Sequence, residues 1–145
     1  MLFGRKDNAP KTEITSLQKL TLRVSGMRVT EVYEILDSNG QAEVSLYHKH
    51  YSREGDSLVL QKRTCTDMPR MLALLKDCGV GEWNGFVGHH PRHVRDGQMF
   101  ELTAEVNGGG RIYAHGSENF PRHYHDFVRA LCELLAGCEV DQGED

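Results

Sequence analysis

Between Leu17 and Cys65 apolar and polar residues alternate, the spacing that sends successive side chains to opposite faces of a β-strand. Turn-forming residues at Ser25-Gly26, Asp37-Ser38-Asn39-Gly40 and Arg53-Glu54-Gly55-Asp56 divide the stretch into four strands joined as a meander. In the first, Leu20, Leu22 and Val24 oppose Lys19, Thr21 and Arg23. The second, from Val29 to Leu36, is apolar on both faces and is expected inside the sheet. The third places Ala42, Val44, Leu46, His48 and His50 against Glu43, Ser45, Tyr47, Lys49 and Tyr51, so two histidines extend an apolar row. The fourth, Ser57 to Cys65, begins apolar and ends polar.

The period then lengthens. Met68, Met71, Leu72, Leu75 and Cys78 recur at helical spacing and predict a helix over 67–77, capped by Thr66 or Asp67, with Pro69 in its first turn and Gly79 as its stop. Residues 79–96 follow neither period and read as a long loop, a feature often tied to function in small domains. From Gly97, Phe100, Leu102, Ala104 and Val106 alternate with Met99, Glu101, Thr103 and Glu105. Asn107-Gly108-Gly109-Gly110 supplies a turn, and Arg111 to His115 returns with Ile112 and Ala114 inward. Tyr124, Val128, Leu131 and Leu135 then mark a last helix, with Asn119 as expected cap, Pro121 in its first turn and Gly137 as its end.

These elements predict an α+β fold: a six-stranded, mainly antiparallel sheet in the order ββββ-α-ββ-α, with both helices on one face. The opposite face is then partly uncovered, with Tyr33, Tyr47 and Tyr51 available for contact. Residues 1–16 are polar and broken by Pro10, and are expected as a flexible N-terminal arm; 17–140 form one domain, and 141–145 an acidic tail.

Composition narrows the partners. A chain of 145 residues with 39% hydrophobic content sustains one core. A formal charge of -4 gives no overall attraction to nucleic acid or anionic lipid, so neither is expected as a partner. Met1 to Asp7 lacks the apolar run of a secretory signal, and no stretch is long enough to span a bilayer, so a cytoplasmic location is expected. Cys65, Cys78, Cys132 and Cys138 are accordingly read as reduced thiols, mostly buried.

Histidine supplies the first candidate chemistry, with eight positions. Imidazole is the commonest metal ligand, and His48 and His50 share a strand face while His89, His90 and His93 crowd the long loop. Zinc is therefore the alternative cofactor to none, although no Cys-x-x-Cys pair or His-Glu-x-x-His run supports it. The loop itself is the second candidate. Trp83 and Phe86 lie between glycines and precede Arg92, His93 and Arg95, a composition able to hold an anion or a planar ligand. The competing role for Trp83 is to plug the core under the loop. No Gly-x-Ser-x-Gly elbow or activated cysteine motif points to nucleophilic catalysis.

Trp83-x-Gly85, Asp96-Gly97-x-x-Phe100-x-Leu102 and Gly116-Ser117-x-Asn119-Phe120-Pro121 together resemble small bacterial proteins of unknown function. There a Trp-x-Gly loop precedes a hairpin and a Gly-x-Asn-x-Phe/Tyr-Pro turn opens the last helix. The resemblance covers about half the chain and implies a similar α+β fold without an activity. The expectation is a non-enzymatic binding module, with a protein partner or a homodimer, and a histidine-based metal or acid–base enzyme as the alternative.

Overall fold

The computed structural model describes residues 12–26, 29–93 and 97–136. Within them the chain forms β1 (Leu17–Gly26), β2 (Val29–Ser38), β3 (Gln41–His50), β4 (Ser57–Asp67), α1 (Met68–Asp77), β5 (Val87–Gly88), β6 (Met99–Val106), β7 (Gly110–Ser117) and α2 (Tyr124–Ala136). The fold is α+β, and the meander and the later hairpin are both present. The strands make one sheet in the order β4-β3-β2-β1-β6-β7-β5. The sheet thus has seven strands where the periodicity predicts six. The addition is β5, which pairs in parallel with β7 at Val87–His115 and Gly88–Gly116. Two residues are too short to show alternation, and the pairing is set by contacts distant in sequence, so no local pattern announces it.

Local chemistry accounts for the turns and the first helix. Asn39 and Gly40 take φ of 53° and 83°, the left-handed pair that a two-residue hairpin requires, and bring Ser38 opposite Gln41. Asp67 ends β4 and caps α1 at once, its carboxylate accepting from the Arg70 amide at 2.7 Å. Such a cap stabilises a helix by about 1 kcal/mol.

The start of α2 departs from expectation. Asn119 is not its cap: the Asn119 amide donates to the His89 carbonyl at 3.3 Å, away from the helix. Pro121 makes a separate turn, accepting from the Tyr124 amide at 3.1 Å, and the helical ladder opens only with Phe127 N–H on the His123 carbonyl at 3.0 Å. Positive φ at Glu118 and His123 produces this detour. The Trp83 indole donates to the Arg122 carbonyl at 3.0 Å and anchors it. Gly137 lies outside the described residues.

The core fills the space between the helices and one sheet face. Leu20 and Leu22 of β1, Tyr33 and Ile35 of β2, Val44 of β3 and Leu102 of β6 meet Met71 and Leu75 of α1 and Phe127, Leu131 and Leu135 of α2. Each buried Leu or Phe contributes roughly 1.5–3 kcal/mol relative to exposure. Tyr33, expected on the uncovered face, belongs here: it is 3% exposed and its hydroxyl meets Cys132 Sγ of α2 at 3.4 Å.

Residues 12–16, counted within a flexible arm, are tied down. The Asn107 side chain accepts from the Thr15 amide, the Thr15 hydroxyl and the Ser16 amide at 2.7, 2.9 and 3.1 Å, and donates to the Glu13 carbonyl at 2.8 Å. Thr12 N–H reaches the Gly81 carbonyl at 3.1 Å. A polar segment is held here by hydrogen bonds to a turn remote in sequence, which hydropathy does not register.

Candidate functional site

Both helices lie on one face, no described element covers the other, and strand register sorts its residues into rows. One row runs Leu60, Tyr47, Val32, Arg23, Glu101, His115, Val87 from β4 to β5. A neighbouring row runs Arg63, Ser45, Glu34, Thr21, Thr103, Tyr113. The face divides into two halves of different chemistry.

The β2–β4 half is aromatic and aliphatic. Arg63 donates from Nε to the Ser45 hydroxyl at 2.9 Å and from Nη2 to the Tyr47 hydroxyl at 3.2 Å, with Glu43 at 3.8 Å. Thr30 and Tyr51 share a hydrogen bond of 2.9 Å between their hydroxyls, and Lys49 lies 5.4 Å from the Tyr51 ring centre. Beneath these long side chains Thr30, Val32 and Ser45 are buried although no element among the described residues covers them. Tyr51 and Leu58 remain 52% and 51% exposed.

The β1, β6 and β7 half is polar and concave. A groove of about 450 Å³ is lined by Arg23, Ser25, Met99, Glu101, Tyr113 and His115, among others. The Tyr113 hydroxyl donates to Glu101 Oε2 at 2.9 Å, and that bond to a carboxylate raises the Tyr113 pKa above its ordinary value. The Tyr113 and His115 rings are neighbours, with centres 5.3 Å apart. At the groove's end His90 Nδ1 and the Ser117 hydroxyl are 2.6 Å apart.

The residues singled out from sequence are dispersed. Trp83 is in the core, 3% exposed and edge-on to Phe127 at 5.7 Å, the plugging role and not a ligand surface. The segment around it is a short 3-10 turn, Val80–Trp83, followed by β5, which corrects the expectation of a structureless loop. Arg92 and His93 are exposed in a turn beyond β5, and Arg95 lies outside the described residues. His48 and His50 do share a face of β3, but it is the helix-side face, where His48 Nε2 is 3.1 Å from Glu31 Oε2. His89 and His90 are exposed next to β5. Among the described residues no three His, Cys, Asp or Glu side chains converge as a metal site requires.

The cysteines also differ from expectation. Cys78 is buried, and burial raises its pKa, whereas Cys65 and Cys132 are exposed; these three are unbridged. Tyr33 is held well above the ordinary phenol range by burial first and by Cys132 second. Burial does the same to Tyr124, whose hydroxyl finds no hydrogen-bond partner among the described residues.

Comparison of the chain with protein-family models, with curated proteins and with solved structures gives no match. No helix among the described residues is long and apolar enough to cross a membrane. The residues that most resemble a site, Arg23, Glu101, Tyr113 and His115, were not singled out from sequence. Their only signal there is the alternation that turns Arg23 and Glu101 outward, and it is shared by every solvated strand position. Several residues of the resembling motifs have structural tasks: a Cβ on Gly116 would collide with the Asn119 carbonyl, and Trp83 and Phe100 fill the core.

Proposed function

We propose that the chain is a non-enzymatic interaction module that docks a second copy of itself through the outer face, with the β2–β4 half as the contact centre. The observation that carries this reading is the patch of Tyr47, Tyr51, Leu58 and Leu60, pre-ordered by the Arg63 and Thr30 hydrogen bonds on a face that no helix among the described residues covers. Tyrosine and arginine are the residue types that interfaces concentrate, because they bury much area for little lost rotamer freedom or bond in planar geometry. Two further features favour a like partner. Lys49 and Arg63 on this half of the face are offset by Glu34 and Glu43, so two copies meet without net repulsion. The outer surface of β2, β3 and β4, about 14 Å across its strands and about 33 Å along them, offers roughly 450 Å² per partner, the small end of interfaces, which fits a concentration-dependent dimer.

Sedimentation velocity on the full chain tests the reading. The wild type is expected to sediment as a concentration-dependent dimer. Leu58→Glu, at a position exposed in the single chain, is expected to weaken it at least about tenfold, since Leu burial contributes roughly 1.5–3 kcal/mol. A wild type that stays monomeric at every soluble concentration overturns the proposal, and so does an undiminished Leu58→Glu dimer.

A further inference from the structure

The groove on the other half of the face carries a separate inference. Arg23 on β1 lies directly opposite Glu101 on β6, and Glu101 directly opposite His115 on β7. One carboxylate oxygen of Glu101, Oε2, takes the Tyr113 hydroxyl, which restrains the carboxylate and leaves Oε1 without a hydrogen bond among the described residues. Although Arg23 and Glu101 are cross-strand neighbours, they form no ion pair among the described residues. A positive and a negative group therefore stand side by side in the lining of one open groove. The volume of about 450 Å³ falls within the range of small-ligand sites.

That pairing selects the ligand by elimination. An anion meets Arg23 but is repelled by Glu101; a cation meets Glu101 but is repelled by Arg23. A neutral apolar molecule desolvates both charges and compensates neither. Only a ligand carrying both charges, close together, satisfies the two groups at once. The walls add a second preference. Met99 is 52% exposed at one side, and the adjoining Tyr113 and His115 rings offer a surface against which a flat side chain can rest. We propose that this groove binds a free α-amino acid with an aromatic side chain: Arg23 takes the carboxylate, Glu101 the ammonium group, and Tyr113 and His115 the ring.

The test uses the full-length protein, L-phenylalanine as probe, and two blocked forms, N-acetyl-L-phenylalanine and L-phenylalaninamide. Affinities are followed by amide chemical shifts of β1, β6 and β7. Phenylalanine is expected to move these amides saturably, and each blocked form to bind at least about tenfold more weakly, since each loses one charge-assisted hydrogen bond. Arg23→Gln is expected to bind phenylalanine and its amide equally, and Glu101→Gln to bind phenylalanine and its N-acetyl form equally. A generally perturbed fold does not produce that crossed pattern, so it separates recognition from structural damage. Absence of saturable shifts with phenylalanine overturns the proposal. Binding that survives N-acetylation or amidation undiminished in the wild type, or variants that lose all three ligands alike, overturns it equally.

Discussion

Tyr124→Phe is expected to stabilise the protein. The Tyr124 ring is 2% exposed and its centre lies 4.6 Å from that of Phe120, 4.9 Å from Phe100 and 6.1 Å from Trp83, contacts that phenylalanine keeps. What the substitution removes is a hydroxyl with no hydrogen-bond partner among the described residues. In the unfolded chain that hydroxyl bonds to water, so folding sets an uncompensated desolvation against it of about 1–3 kcal/mol. Part of that gain is offset by the small void left behind, which puts the net stabilisation at about 1 kcal/mol. For a chain of this size that corresponds to a rise of roughly 2–4 °C in Tm. Tyr33→Phe provides the contrast, because its hydroxyl is bonded to Cys132 and its removal is expected to cost up to about 1 kcal/mol. Urea unfolding, read as the midpoint at unchanged slope, measures both. A loss of more than about 1 kcal/mol for Tyr124→Phe would refute the reasoning, since it requires that the hydroxyl has a partner in solution.

Alkaline pH probes the same two phenols. Both pKa values are raised in the fold, so their stabilising share is complete below the ordinary value of about 10 and is lost as pH climbs above it, by up to about 1.4 kcal/mol per group per pH unit; either Phe variant flattens this slope, and an unchanged slope in both argues against burial as the cause. Asn107→Gly retains a residue suited to the φ of 56° while deleting the bonds to residues 13–16, so it is expected to remove amide-exchange protection at Thr15 and Ser16 at a cost of about 1–2 kcal/mol. Full protection in that variant would mean that the turn side chain does not hold the segment. Gly116→Ala is expected to destabilise by about 1–3 kcal/mol or more, because the new methyl meets the Asn119 carbonyl and lies 2.9 Å from the Phe100 ring, whereas Gly109→Ala, with open space, stays near neutral; equal midpoints for the two would contradict the packing. Added zinc is expected to leave Tm unchanged, since no ligand set converges among the described residues; a rise that saturates at one equivalent would reveal a site by mass action.

The β1–β4 meander and the β6–β7 hairpin were legible from alternation and turn residues because both signals are local. Asn39-Gly40 can hardly do anything but reverse the chain, and Asp67 followed by Met68-Pro69 opens a helix whatever surrounds it. The start of α2 was not legible. Asn119 and Pro121 suit a helix start, but the Trp83 indole and the His89 carbonyl, 39 and 30 residues before the groups they bond, engage that segment and delay the helix to Tyr124. For the same reason the histidines misled: spacing counts neighbours along the chain, while His48 found Glu31 on the next strand and His90 found Ser117 two strands from β1 in the sheet.

Local pattern thus sets which residues form strands, where they turn, and which side chains share a face, since period and turn propensity act over a few residues. It does not set which strands meet. That β6 pairs with β1, joining the meander to the hairpin in one sheet, follows from burying the apolar rows of both under the same two helices. This pairing alone brings Arg23 opposite Glu101, and it extends across both units a face that no described element covers. Both candidate sites lie on that face, because they are made of contacts between strands far apart in the chain, where tertiary burial and not local propensity decides the partner.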